Sequence, residues 1–107
     1  MNKTIVPCPK TIHCGAREYK LSLTTSEKLR GDVGSTDHKE GTSKIANDWV
    51  YGVMLESFFH EILHDVDSVY NWGQLSKDEA LVDRIADGLA QVLNEFLEID
   101  FSSLEGD

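Results

Sequence analysis

Phe58-Phe59-His60-Glu61-Ile62-Leu63-His64 sets two histidines and a glutamate into an apolar run at the spacing H-E-x-x-H, which demands a helix. At 3.6 residues per turn, His60 and His64 lie one above the other on one face and can aim two imidazole nitrogens at a single point. Glu61 projects about 100° round the helix from His60, close enough for its carboxylate to reach a water at that point without ligating an ion. The spacing therefore predicts a divalent metal, read as zinc, between His60 and His64. A catalytic zinc takes a third protein ligand and keeps water in its fourth place, so another donor must come from elsewhere.

The flanking sequence gives that helix bounds and neighbours. Asn47 and Asp48 are good N-cap residues, and Val50, Val53, Met54, Phe58, Ile62, Val66 and Val69 recur at helical spacing, which predicts the motif helix over 48–69. Asn71-Trp72-Gly73-Gln74 breaks it, Gly73 being suited to a positive φ. Ser76 then caps a second helix over 77–98, whose stripe runs from Leu81 and Val82 to Phe96 and Leu97. So short a link sets the two helices roughly antiparallel.

Residues 11–46 read as β-rich. Thr11–Cys14 and 18–23 form a half-buried hairpin across Gly15-Ala16-Arg17, with Tyr19, Leu21 and Leu23 alternating with polar neighbours. Residues 24–44 are polar and glycine-rich, predicting a loop with at most a short strand near Val33 and a helical turn near Leu29, and 43–46 predict an edge strand. The expected fold is α+β: a small antiparallel β-sheet, hairpin plus edge strand, packed on two roughly antiparallel helices. One domain spans 1–107, with 99–107 a frayed, mostly polar tail. Trp49, Trp72 and the Phe58-Phe59 pair read as core or wall residues.

Composition narrows the function. With 107 residues and 40% apolar side chains, there is enough for one modest core. Nineteen acidic residues against ten basic leave a formal charge of -9, which argues against nucleic acid or an anionic membrane as partner. No run approaches the ~18 apolar residues of a membrane helix and the N-terminus lacks a signal-peptide pattern, so a cytoplasmic location is expected. Cys8 and Cys14 read as reduced thiols, and their spacing does not make a zinc knuckle.

The third ligand has four candidates. Asp78, Glu79 and Asp83 open the second helix, near His64 if the helices pack side by side, and Asp67 continues the histidine stripe. Ligands on three successive turns of a straight helix span ~10 Å and cannot share one ion at about 2.1 Å, which disfavours Asp67. Glu79 is the choice, with Asp83 on the same face to accept the spare N–H of a ligating histidine. Ser76-x-x-Glu79 also spells a capping box, in which the carboxylate would return to the Ser76 main chain.

H-E-x-x-H followed on the next helix by a glutamate, with an aspartate four residues later, resembles the gluzincin, thermolysin-like metallopeptidases. The order of elements and the segment Val82-Asp83-Arg84-Ile85-Ala86-Asp87-Gly88-Leu89 are similar to small predicted metallopeptidases of phage and bacterial genomes. The resemblance covers roughly 11–97. It implies His60, His64 and Glu79 as zinc ligands, Glu61 as general base, Asp83 as partner of a ligating histidine, and a peptide or protein substrate. The residue that would stabilise the tetrahedral intermediate has no clear match, Tyr70 and His38 being candidates. A metzincin pattern fails, because position 67 is Asp where glycine is required and position 70 is Tyr where the third histidine belongs. The expected function is a zinc metallopeptidase; the alternative is a non-catalytic zinc-binding interaction or structural module. In the enzyme reading, an edge strand at 44–46 would pair with the peptide, and the acidic tail could block the cleft.

Overall fold

A computed structural model describes residues 3–106. Strands β2 (Thr11–Cys14) and β3 (Arg17–Thr24) form the expected hairpin, in register from Thr11 opposite Lys20 to Cys14 opposite Arg17. This register leaves a two-residue turn, and Gly15 takes it at a φ of 57°, where a side chain is disfavoured. Alternation then buries Tyr19 and Leu21 on the inner face.

The expected all-antiparallel sheet is corrected by the next two strands. Strand β4 (Gly34–Asp37) makes a hairpin with β5 (Thr42–Ala46), and β5 pairs in parallel with β3 on its other side, giving the order β2-β3-β5-β4. The connection 25–33 carries the chain past the place beside β3, and the hairpin brings β5 back into it. Segment 43–46 is therefore interior rather than an edge, and the edges of this sheet are β2 and β4. With the polar sequence Gly34-Ser35-Thr36-Asp37, β4 has no apolar alternation to announce it.

Helix α1 (Tyr51–Tyr70) begins after Val50, later than expected, because the Asp48 carboxylate is engaged by the Ser26 N–H at 3.0 Å and the Ser26 hydroxyl at 2.6 Å. A 3-10 turn, Leu75–Lys77, leads into α2 (Glu79–Leu93), whose N-cap is Asp78, accepting from Leu81 N at 3.1 Å, and not Ser76. Along α2, Glu79 meets His64 and His60, Asp83 meets His60, and Asp87 stands near Glu56. The helices therefore run antiparallel, as expected.

Helix α2 stops at Leu93, short of 98. Phe96 and Leu97 continue its apolar spacing, but Leu97 opens strand β6 (Leu97–Asp100), which pairs in parallel with β1 (Thr4–Pro7). Ladder pairing there satisfies main-chain groups that a longer helix would have used internally. Nor do the described residues of the tail fray. Ile99, Phe101 and Leu104 are buried with Leu21 and Ile45 of the sheet, Leu55 and Phe58 of α1, and Ala90 of α2. Phe101 stacks edge-on against Phe58 with centroids 5.6 Å apart, and Leu23 N donates to Glu105 O at 2.7 Å. Both cysteines are buried free thiols. Trp72, expected in the core or a wall, is 87% exposed, because the turn after α1 holds it at a φ of 54° and swings it outward.

Candidate metal centre

Each candidate ligand is placed by the helix that carries it. One turn of α1 separates His60 from His64, and their Nε2 atoms stand 3.0 Å apart. From the first position of α2, Glu79 brings Oε1 to 2.9 Å from His64 Nε2 and Oε2 to 3.2 Å from His60 Nε2. Ligands bonded at about 2.1 Å in a tetrahedron lie about 3.4 Å from one another. Each imidazole faces a different oxygen of Glu79, and one donor atom from each of the three residues lies within 4.8 Å of the other two. His60, His64 and Glu79 form a group able to hold a metal ion.

The far side of each ring fixes how it presents itself. His60 Nδ1 lies 2.7 Å from Asp83 Oδ1 and His64 Nδ1 lies 2.7 Å from Ser76 Oγ. With both Nδ1 atoms engaged on their outer sides, the two Nε2 atoms and a carboxylate share one small space, into which a cation would fit. Burial lowers the His64 pKa, outweighing the upward pull of Glu79, so that ring favours its neutral, ligating form.

Glu61 lies beside this group, 5% exposed, with Thr36 Oγ1 donating to its Oε1 at 2.7 Å. Burial raises its pKa, more than the Thr36 hydrogen bond and His60 lower it. Gly34 makes room for it: a Cβ there would stand 2.5 Å from Ser57 Oγ and 2.8 Å from Glu61 Oε2. Behind Glu61, Ser43 Oγ is 3.0 Å from Thr36 Oγ1 and 3.1 and 3.2 Å from the two oxygens of fully buried Asp65. Three contacts join these four groups and need three protons, of which the hydroxyls supply two. A protonated Asp65 supplies the third, consistent with burial pushing its carboxyl up to about 7 against the downward pull of Ser43.

A cleft of about 350 Å³ opens in front of the group, with Val33 and Gly34 on the β4 side and Glu56, Asp83 and Asp87 on the helical side. Among the described residues, no Lys or Arg lines it. Compared with family models, curated proteins and solved structures, the chain matches none.

The remaining sequence candidates sit elsewhere. Tyr70 ends α1, about 15 Å along the axis from His60, and its hydroxyl accepts from Gly15 N at 2.7 Å. His38 Nδ1 is 2.9 Å from the Tyr19 hydroxyl. Neither lines the cleft. Asp67 is no ligand, since its carboxylate accepts from Leu75 N, Ser76 N and Asn71 Nδ2. Residues 99–106 take no part in the cleft either, so the described tail does not block it. Sequence reasoning missed Thr36, Ser43, Asp65 and the Ser76 contact. One signal was present: Glu61 and Asp65, like charges four residues apart, share a helix face turned toward the sheet.

Among the described residues, no helix is long and apolar enough to cross a membrane.

Proposed function

We propose that this chain is a zinc-dependent metallopeptidase of the gluzincin kind, hydrolysing peptide bonds with Glu61 as general base. The observation that carries the reading is the convergence of His60, His64 and Glu79 beside a buried carboxylate with a raised pKa. Zinc held there would supply Lewis-acid polarisation of the scissile carbonyl and acidify the attacking water. Glu61 takes that water's proton and returns it to the leaving amine, a task that a buried carboxylate with a raised pKa suits. Asp83 and Ser76 hold the imidazoles in the ligating tautomer. The unpaired edge of β4, which begins at the cleft, offers main-chain groups to an extended peptide in place of the interior strand first considered.

A second reading is favoured by the ligands coming from two helices: zinc as a brace between α1 and α2 without catalysis. Two substitutions separate the readings. Glu61→Gln is expected to bind one zinc per chain and to lose ~10²- to 10⁴-fold of any hydrolysis, whereas Glu79→Ala loses affinity for zinc and thermal stability together. If Glu61→Gln binds zinc and matches wild type against a broad peptide library while Glu79→Ala loses zinc and stability, the brace replaces the enzyme. Loss of zinc from Glu61→Gln with retention by Glu79→Ala would overturn the ligand set.

A further inference from the structure

Asp67 is 3% exposed and lies one turn beyond His64 on α1. Its carboxylate accepts from Asn71 Nδ2 at 2.7 Å, Leu75 N at 3.0 Å and Ser76 N at 2.7 Å, so it gathers the whole link between the helices onto α1. The Ser76 hydroxyl oxygen is 2.7 Å from His64 Nδ1, and the main-chain N–H of the same serine is one of the three donors to Asp67. The main-chain bond to Asp67 holds the serine where its hydroxyl oxygen can accept from His64 Nδ1–H. The imidazole is then unprotonated at Nε2, the nitrogen that faces His60 and Glu79.

We propose that Asp67 is a positioning residue for the metal centre, acting through Ser76 to select the tautomer of His64 and through the main chain at 75–76 to set where α2 begins. The second effect bears on Glu79, the first residue of that helix. The inference rests on the metal-binding reading above and adds an Asp67–Ser76–His64 line to the Asp83–His60 contact. A plain staple between helices would need only the main-chain bonds. The serine hydroxyl, set on the far nitrogen of a candidate ligand by a residue whose own N–H is bound to Asp67, is what such a staple leaves unexplained.

The test uses the full chain with Ser76→Ala, Ser76→Thr, Asp67→Asn and the double variant Asp67→Asn/Ser76→Ala. Two properties are read: the imidazole ¹⁵N shifts of His64 in metal-free protein above the histidine titration range, and zinc(II) and cobalt(II) affinity by chelator competition. Wild type should show His64 protonated at Nδ1. Ser76→Ala should move the ring toward the Nε2–H form and weaken zinc about 10- to 100-fold, and Ser76→Thr, which keeps the hydroxyl, should restore both. The double variant should bind zinc no more weakly than the weaker single variant, since the two side chains act in one line. A folded Ser76→Ala with wild-type tautomer and affinity overturns the proposal, as does an additive double variant. Should Asp67→Asn fail to fold, Ser76→Ala decides alone, because it keeps the main-chain bonds to Asp67. If wild type binds neither metal, the metal-binding reading fails, while the tautomer still decides whether Asp67 and Ser76 orient His64.

Discussion

Asp65 and Asp67, two residues apart on α1, have opposite fates because their surroundings supply protons differently. Asp67 is offered N–H donors by the link between the helices; burial alone would raise its pKa, but the bonds from Ser76, Asn71 and Leu75 outweigh it and bring it to about 2. Asp65 faces hydroxyls that are themselves short of protons, and burial takes it to about 7 from 3.8. Its folded-state pKa is therefore the higher one. The stability it contributes is full below the unfolded value and is lost as pH rises toward and through about 7. Asp65→Asn, neutral at every pH, should remove this decline. In the presence of chelator, chemical denaturation should find the variant close to wild type near pH ~4 and more stable by up to about 4 kcal/mol near pH ~8. A shared pH slope would mean that Asp65 is ionised in the fold. The histidine pair and Glu61 were legible because an i, i+4 pair needs nothing but a helix. Ser76 was misread because the cap signature suits Ser76 and Asp78 alike, and only the tertiary position of His64 decides between them.

Among the elements, the strongly periodic ones were legible and the unperiodic ones were not. Tyr19, Leu21 and the Val53-to-Val69 stripe announced the hairpin and α1. Strand β4 has no apolar residue, and the first half of β6, Leu97 and Glu98, falls inside the helix the sequence predicts because Phe96 and Leu97 extend the spacing of α2. Parallel pairing joins residues far apart in sequence, so no local pattern specifies it. One consequence reverses a sequence expectation. Truncation after Glu98 should not simply trim a loose end, since it removes Ile99, Phe101 and Leu104 from the core. Phe101→Ala alone should cost about 3–5 kcal/mol, measurable as a lower denaturation midpoint with an unchanged slope. A truncated chain as stable as the full one would return these residues to the surface.

At the scale of the whole molecule, the excess of acid is concentrated where it bears on the proposed substrate. Glu56 and Asp87 face the cleft, and burial together with the Asp87 charge raises the Glu56 pKa. A peptide carrying lysine or arginine beside the scissile bond should therefore be hydrolysed faster than its neutral analogue, with the advantage shrinking between low and physiological ionic strength as screening grows. Paired peptides differing at one position, assayed at two salt concentrations, give the answer. Equal rates at both would remove charge as a selector without touching the reaction type. The overall α+β class was legible from the order of periodic segments, while the concave shape of the cleft was not, because it depends on β4 reaching the edge of the sheet.

The pairing of β1 with β6 also imposes an order on the chain's own making. His60, His64 and Glu79 have all been synthesised well before residue 97, yet the core cannot close until Phe101 and Leu104 arrive. During vectorial synthesis the candidate ligands precede the strand that completes the core around their helices, and an early metal ion would meet a partly folded partner. Because the first and last strands join at maximal sequence separation, closing the chain on itself is also the slowest kind of contact to form. The candidate ligands are thus local in sequence and early, while the seal is distant and late.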